Sequence, residues 1–425
     1  MSRYAFFRQT GWMLMATGFA GAFVLLVPPI LTKPLDFLPF LRPKITGAEF
    51  GLFQTLMALV SWLNIPSNGV QSTLAHQTAS AVTPELQRQL NGTVRKLLLG
   101  LTGIWLLAVS LTLVFQNVLM RDFKVYHPAS LWVTMLIGLP VLWQPVLSGI
   151  LQGRENFMWL GWQSILNSIA RVVAIFVFVR LMGVHVTGAM AGVFAGSCTS
   201  LAISFWQSRS LLRGPAAPVD WSAWLRRLIP LTLGLGAAAF MVSADLVFVR
   251  RYFAEEQSGL YSAVAVIGRA LMFLIVPMTQ VMFPKVVQAA AKLERTDVMA
   301  QALAATGLIG AAAAAGCTLF PELPIRVLFP PEVLTAKSLV AVYAWCMIPM
   351  TLSNVLVNNL MARQHYHSVP WLVAVAAAYG GALVMVATRM NTSASLEAFR
   401  AIVLTFGLFS VLMLAITVWF TIRKR

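Results

Sequence analysis

The sequence predicts an all-α polytopic membrane protein with about twelve transmembrane helices, and composition and pattern both support this. Of its 425 residues, 59% are hydrophobic and only 11% are charged, and the mean hydropathy is +0.78. A soluble domain of this length could not cover its surface with so few charges. Apolar stretches of about 20 residues recur along the chain, and each is long enough to cross about 30 Å of hydrocarbon.

The connections between the predicted spans are short. The first span is longer than the apolar core of a signal peptide and ends at Pro28-Pro29. We therefore expect that this segment is not cleaved from the protein. A polar stretch over 206–225 is predicted to be a cytoplasmic linker, with Trp221 and Trp224 as an interfacial anchor. The spans are predicted at 10–31, 49–73, 95–117, 129–151, 159–181, 184–205, 226–249, 259–283, 299–320, 335–361, 369–388 and 399–421.

The net charge of +17 is interpreted as a membrane-protein feature. Lys and Arg collect at the cytoplasmic ends of membrane spans. The sequence has no run of basic residues interleaved with aromatic residues, so nucleic-acid binding is not predicted. The terminal cluster 423–425 is the best argument for placing both termini in the cytoplasm. The predicted location is the bacterial inner membrane. The basic excess also favours an anionic substrate or anionic headgroups.

An internal duplication is predicted from two sequence offsets that differ by one residue. They align Pro140 with Pro349, Arg154 with Arg363, and Gly51-Leu52-Phe53 with Gly259-Leu260-Tyr261. Six spans in each half return the chain to its starting side, which predicts two parallel lobes related by an axis along the membrane normal. The predicted lobes are 1–213 and 214–425, with the substrate held between them.

Polar side chains inside the spans mark helix faces that are turned away from lipid. Because residues on one helix face recur every three or four positions, stripes on the second and eighth spans point to a wet central cavity. For any single Asn or Ser, hydrogen bonding between helices is the better explanation, whereas the whole set, repeated in both halves, is better explained by the cavity. The predicted substrate-binding residues are Asn64, Asn68, Gln71, Arg171, Ser262, Arg269 and Gln280.

Three charged residues inside spans carry most of the functional prediction. An Arg at the bilayer centre costs at least about 2.5–3.5 kcal/mol, so Arg269 and Arg171 need water, a carboxylate or an anionic ligand. A planar guanidinium matches two phosphate oxygens, which favours a phosphate-bearing substrate. Arg171 could instead hold the fifth span to its neighbours. Asp245 is predicted either to couple an ion or to pair with an Arg.

The sequence does not predict an enzyme, and it predicts neither a cofactor nor a metal site. Glu255 and Glu256, beside Arg250 and Arg251, are interpreted as a solvated loop. No phosphate-cradling Gly loop is present, so ATP hydrolysis is not expected. The three cysteines lie in apolar segments without ligand spacing and are expected to be small core residues.

Three stretches, 47–76, 150–173 and 244–286, resemble the polysaccharide transporter family, which includes the O-antigen flippases. This family shares a superfamily with the MATE drug exporters and the lipid II flippase. The resemblance implies a MATE-like fold, alternating access and a cationic cavity for a polyprenyl-diphosphate-linked glycan. It also implies membrane lipids, a polysaccharide polymerase and glycosyltransferases as partners. Two alternatives stay open, a cation-coupled multidrug exporter and a lipid II flippase.

Overall fold

The computed structural model describes residues 3–34, 44–218, 221–270, 298–389 and 395–423. Within these ranges the regular structure is helical, and no strand is present. Among the described residues, nine helices are long and apolar enough to cross a membrane, and a bent helix pair raises the number to ten. The predicted all-α, multi-pass membrane fold is therefore confirmed.

The helices follow one another with short connections. The first half contains α1 (Arg3–Leu25), α2 (Val27–Thr32), α3 (Gly47–Leu63), α4 (Ile65–Ser80), α5 (Pro84–Val114), α6 (Gln116–Asp122), α7 (Pro128–Gly153), α8 (Phe157–Ile175, continued by a π-helical turn, Phe176–Leu181) and α9 (His185–Arg213). The second half contains α10 (Trp221–Tyr252), α11 (described over 255–270), α12 (Val298–Leu319), α13 (Glu322–Leu328), α14 (Lys337–Ala362), α15 (Val369–Arg389) and α16 (Ser395–Ile422).

The second predicted span is a broken helix, and the ninth is followed by a sharp bend. The second span consists of α3 and α4, which meet at Asn64. Pro66 has no backbone N–H to donate, so the hydrogen-bond ladder of α3 cannot run through it. The ninth predicted span matches α12, and α13, which follows it, is bent by 91° from α12. The eighth span is described only as far as residue 270.

The chain separates into two compact units that are not the two halves of the sequence. Unit 1 contains Met1–Val24 and Leu59–Gly236, and unit 2 contains Leu25–Ala58 and Ala237–Arg425. This division differs from the predicted lobes because the start of α3 packs in unit 2, against α11. The six-helix lobes 1–213 and 214–425 stay a prediction.

The start of α10 is part of the core of unit 1. Trp224 is buried in a hydrophobic cluster with Leu97 of α5 and Leu147 of α7, and Trp221 packs against the same cluster. Lys96 lies 6.0 Å from the centre of the Trp221 ring. The prediction of an interfacial aromatic anchor is therefore wrong for Trp224, because α5 and α7 offer it an apolar surface inside the protein.

The linker between the two halves is fixed to α5 by hydrogen bonds. Arg95 donates to the carbonyl of Leu212 at 2.8 Å and to that of Gly214. The Asn91 amide donates to the carbonyl of Pro215 at 3.0 Å. A Cβ at Gly92 would overlap the carbonyl oxygen of Ala217, so a glycine is needed for this close approach. The linker is therefore a docked segment of unit 1.

Candidate functional site

A buried carboxylate lies at the centre of the main polar cluster of unit 2. Asp245 of α10 is fully buried, and its Oδ2 accepts hydrogen bonds of 2.7 Å from both Tyr261 and Tyr343. Its Oδ1 pairs with the guanidinium of Arg269 and accepts a 3.0 Å hydrogen bond from the N–H of Leu246. The carboxylate is thus satisfied by one cation and three neutral donors.

The helices place these donors for identifiable local reasons. Tyr261 and Arg269 come from α11, and Tyr343 comes from α14. A Cβ at Gly268 would overlap the Tyr343 ring, so this glycine gives the ring its room beside α11. The Arg269 guanidinium lies 5.9 Å from the centre of the same ring, at cation–π distance. Its Nε has no partner among the described residues.

Aromatic rings surround this cluster. Tyr261 contacts Phe399, and Tyr343 stacks on Phe406, with ring centres 5.2 and 5.8 Å apart. Tyr379 is fully buried beside Phe406, and its hydroxyl has no hydrogen-bond partner in the described part of the chain. Electrostatic attraction is strong in such surroundings because few polar groups screen it. The Asp245–Arg269 pair is therefore held tightly.

Arg171 of α8 has a different environment in unit 1. It lies well inside a helical stretch that spans Phe157–Leu181. Its Nη2 donates weakly to the amide oxygen of Asn167 at 3.4 Å, and its Nε has no partner among the described residues. Over the same described ranges it forms no ion pair, although the side chain is half-buried. Its charge is therefore uncompensated by the described chain.

The other predicted site residues are divided between the two units. Gln71 donates to the side chain of Gln152 at 3.4 Å, which fits a contact between helices. The Oδ1 of Asn64 is buried without a described partner at the break between α3 and α4. Ser262 is buried in unit 2. The side chain of Asn68 and all of Gln280 lie outside the described residues.

The structure thus brings Asp245 and Arg269 together within unit 2. Asn64, Asn68, Gln71 and Arg171 belong to unit 1, whereas Asp245, Ser262 and Arg269 belong to unit 2. The substrate-binding role of this set stays a prediction.

Sequence reasoning missed two tyrosines and one arginine. Tyr261 and Tyr343 were not predicted because aromatic residues look apolar in a hydropathy pattern, although a buried Tyr hydroxyl needs a partner. The interpretation of Glu255 and Glu256 as a solvated loop did not anticipate that neighbouring Arg250 is buried, although Glu256 is exposed. Arg250 is fully buried, and it donates to the carbonyl of Ala48 at 3.1 Å and to the hydroxyl of Ser258 at 3.2 Å.

The helical arrangement is shared with solved membrane proteins. An inward-facing multidrug resistance transporter of the MATE family, in the MOP superfamily, superposes with a TM-score of 0.69 at 13% identity, over 98% of this chain and 94% of that one. The lipid II flippase MurJ, in an inward closed conformation, superposes with a TM-score of 0.67 at 13% identity, over 96% and 87%. A MOP superfamily transporter from Pyrococcus furiosus gives 0.67 at 15% identity, over 99% and 95%. The chain therefore has a MATE-like fold.

The sequence assigns the family more narrowly than the fold does. Residues 19–290, more than half of the chain, match the model of the family described as polysaccharide biosynthesis protein. The protein belongs to this family, and the predicted resemblance is confirmed. No curated protein matches the sequence.

Proposed function

We propose that this protein is a flippase that translocates a polyprenyl-diphosphate-linked oligosaccharide across the bacterial inner membrane, by alternating access. The product would serve cell-surface polysaccharide biosynthesis, and the partners would be membrane lipids, a polysaccharide polymerase and glycosyltransferases. Family membership and the MATE-like fold support a transporter rather than an enzyme. The observation that supports the substrate assignment is that Arg171 has only one weak hydrogen bond, and no ion pair, among the described residues.

The charge of Arg171 needs an anion or water. The side chain is half-buried within a membrane-spanning stretch, so its remaining surface meets either hydrocarbon or a polar phase. Contact with hydrocarbon would cost at least about 2.5–3.5 kcal/mol. A diphosphate removes that cost, because two of its oxygens match the planar guanidinium. We therefore assign the diphosphate of the lipid-linked substrate to Arg171.

Arg269 has a different role in this proposal. Asp245 already neutralises it, and the two tyrosines occupy the second carboxylate oxygen. In this state the Arg269–Asp245 pair braces α10, α11 and α14 and offers little charge to a ligand. The same occupancy argues against the alternative of a cation-coupled multidrug exporter, since Asp245 has no oxygen free for a cationic drug.

The charge of the site, more than the fold, is expected to choose the substrate. The Pyrococcus furiosus transporter with this fold is described as having a binding pocket of reverse polarity, which suggests a different function for it. In our protein, the group that we propose to bind the substrate is basic Arg171. The lipid II alternative has the same diphosphate chemistry, so the experiment must separate the two glycans.

The test measures flipping of a labelled lipid-linked oligosaccharide by purified protein in vesicles. Arg171→Ala should lower the initial rate at least about tenfold, and Arg171→Lys should recover part of it because an ammonium makes a single-point contact. Arg209→Ala is the matched control, because exposed Arg209 stacks on Trp206 in the same unit, 4.7 Å from the ring centre. Equal rates for Arg171→Ala and the control would refute the assignment.

Two further cargoes separate the alternatives in the same vesicles. Lipid II carries the diphosphate with another glycan, and a cationic dye represents the multidrug substrates. We expect the oligosaccharide to be moved faster than either. Preferential movement of the dye would identify a drug exporter, and preferential movement of lipid II would identify a lipid II flippase.

The membrane potential can supply the energy. The diphosphate carries about two negative charges, and each gains about 2.3 kcal/mol per 100 mV when it crosses an inside-negative field outward. An imposed potential without a pH or Na⁺ gradient should therefore drive flipping by the unmodified protein. Flipping that follows only an ion gradient at zero potential would instead show ion coupling.

A further inference from the structure

One short sequence pattern occurs where α5 is followed by α6 and again where α12 is followed by α13. It consists of an aliphatic residue and Phe, then an aliphatic residue three positions after the Phe, and Arg three positions after that. We call each occurrence an outer motif. The members are Val114, Phe115, Val118 and Arg121 in the first half, and Leu319, Phe320, Leu323 and Arg326 in the second. The two helices α5 and α12 contain the third and ninth predicted spans, which are equivalent in the predicted duplication, so the motif belongs to the repeat.

The apolar members of both outer motifs point away from the protein. Their exposed fractions lie between 44% at Val118 and 74% at Val114, and the side chains of the two arginines are largely exposed as well. Exposed apolar patches next to charged groups mark an interaction surface.

Each outer motif continues a surface that faces lipid. Leu107 and Leu111 are exposed along α5, and Leu308 is exposed on α12. Both helices are apolar enough to cross a membrane, the second as part of a bent pair, so their exposed aliphatic faces meet hydrocarbon. The motifs follow at the helix ends that the predicted topology places outside the cytoplasm. They therefore lie where acyl chains give way to headgroups.

The second outer motif also has the geometry of an interfacial helix. α13 is bent by 91° from α12, so it runs across the axis of the span and does not extend it. One face is fixed to unit 2, since Ile325 and Phe329 are buried and the Phe329 ring lies 5.4 Å from that of Phe50. Leu323 and Val327 are exposed on another face. A short amphipathic helix of this kind is typical of the boundary between headgroups and acyl chains.

Three basic groups gather around one carboxylate beside α13. Arg326 donates to Glu322 at 2.8 Å, and Lys337 donates to the same side chain at 2.9 Å. Lys33 donates to the backbone carbonyl of Arg326 at 2.5 Å. The positive charge favours anionic headgroups, and a planar guanidinium matches two phosphate oxygens at once.

We propose that the two outer motifs are binding sites for anionic phospholipid in the leaflet that faces away from the cytoplasm. Their apolar side chains contact the acyl chains, and Arg121 and Arg326 bind the headgroup phosphates. The inference concerns the surrounding membrane and not the transported molecule, so it does not depend on the proposed function. Coverage of the motifs by a partner protein or by a second copy of this chain is the competing explanation.

The deciding experiment maps lipid contacts with a photoreactive probe. The protein is placed in vesicles of phosphatidylethanolamine and phosphatidylglycerol that contain a trace of phosphatidylglycerol with a photoreactive headgroup. Arg326→Gln should lower cross-linking of α13 at least about fivefold and leave cross-linking of α6 unchanged. Arg121→Gln should have the reverse effect. Peptide mass spectrometry locates the cross-links.

A matched control removes the same charge at another exposed position. Arg251 is exposed at the end of α10 in unit 2, and it lies 5.7 Å from the centre of the Tyr252 ring. Arg251→Gln should leave the cross-linking of α6 and α13 unchanged. Equal cross-linking in all the variants, or no cross-links to either helix in the unmodified protein, would overturn the proposal.

A second measurement tests whether α13 lies in lipid. Leu323→Cys, in a background lacking the three native cysteines, carries a nitroxide label in the same vesicles. The label should relax with oxygen, which concentrates in lipid, more than with a water-soluble nickel complex. Glu332→Cys is the control, because Glu332 is largely exposed just beyond α13 and should respond to nickel. An equal nickel response at both positions would place α13 in water, and a response to neither reagent at 323 would show that protein covers it; either result would contradict lipid binding.

Discussion

Arg171 lies well inside an observed span and Arg269 inside a predicted one, yet their surroundings differ. Arg269 is paired with Asp245 and lies over Tyr343, so its charge is compensated within unit 2. Arg171 has one weak hydrogen bond to Asn167 and no ion pair among the described residues. Depth in the membrane therefore does not distinguish a bracing arginine from a binding one. The two roles are distinguished by whether a carboxylate lies within reach of the guanidinium.

The largest effect on stability is expected when the carboxylate is removed. Asp245→Asn leaves the guanidinium of Arg269 buried without its anion and weakens the acceptor for Tyr261 and Tyr343. Breaking a buried pair in this way costs about 3–5 kcal/mol. We expect a clear fall in the midpoint of thermal unfolding in detergent. An unchanged midpoint would show that the pair does not brace unit 2.

Removal of the cation should cost less. Arg269→Ala leaves Asp245 with two tyrosine hydroxyls and one backbone N–H, so we expect a loss of about 2 kcal/mol. Loss of the ion pair should also reduce the level of this variant in cells. The double variant Asp245→Asn/Arg269→Ala should lose less stability than the two single variants lose together. Thermal unfolding of the unmodified protein and the three variants would show this.

A smaller change tests one hydrogen bond. Tyr343→Phe keeps the ring, its stacking on Phe406 and its contact with Arg269, but removes the 2.7 Å hydrogen bond to Asp245. The expected loss is about 1 kcal/mol. Tyr379→Phe is the control, because the Tyr379 hydroxyl has no partner in the described part of the chain. Equal losses in the two variants would contradict this assignment.

The smallest effect on stability is expected at Arg171. Arg171→Ala removes a charge that no described carboxylate compensates, so the free energy of unfolding should change by less than about 0.5 kcal/mol. A loss comparable to that of Arg269→Ala would mean that Arg171 holds helices together. That result would contradict both the proposed difference between the two arginines and the assignment of the substrate diphosphate to Arg171.

Much of the fold could be predicted because a membrane span is recognised from the hydropathy of consecutive residues. Among the described residues, hydropathy over about 20 residues placed most of the nine span-forming helices to within a few residues of their observed bounds, and the exceptions, such as α5, are longer than the predicted span. The bend between α12 and α13 was not predicted, since α13 is too short to stand out from a loop. The grouping of 25–58 with the second unit depends on the crossing of α3 with α11, which no local pattern shows.

The candidate site could be predicted only in part. A charge in an apolar stretch is visible in the sequence, so Asp245, Arg171 and Arg269 were found. Which of the two arginines pairs with Asp245 depends on helix packing, and Tyr343 joins the cluster from 98 positions away in the chain. The burial of Arg250 could not be predicted, because its hydrogen-bond partner at Ala48 is 202 positions away in the chain.

The docked linker decides where the chain can be labelled. Insertions are tolerated where the backbone is exposed and makes few hydrogen bonds. Residues 214–217 are unsuitable for an epitope tag or a fluorescent protein, because Arg95, Asn91 and the close approach at Gly92 hold them to α5. The turn between α4 and α5 is the better insertion point, since Val82 is 81% exposed there. A reporter at that turn would follow the protein in cells without loosening the join between its two halves.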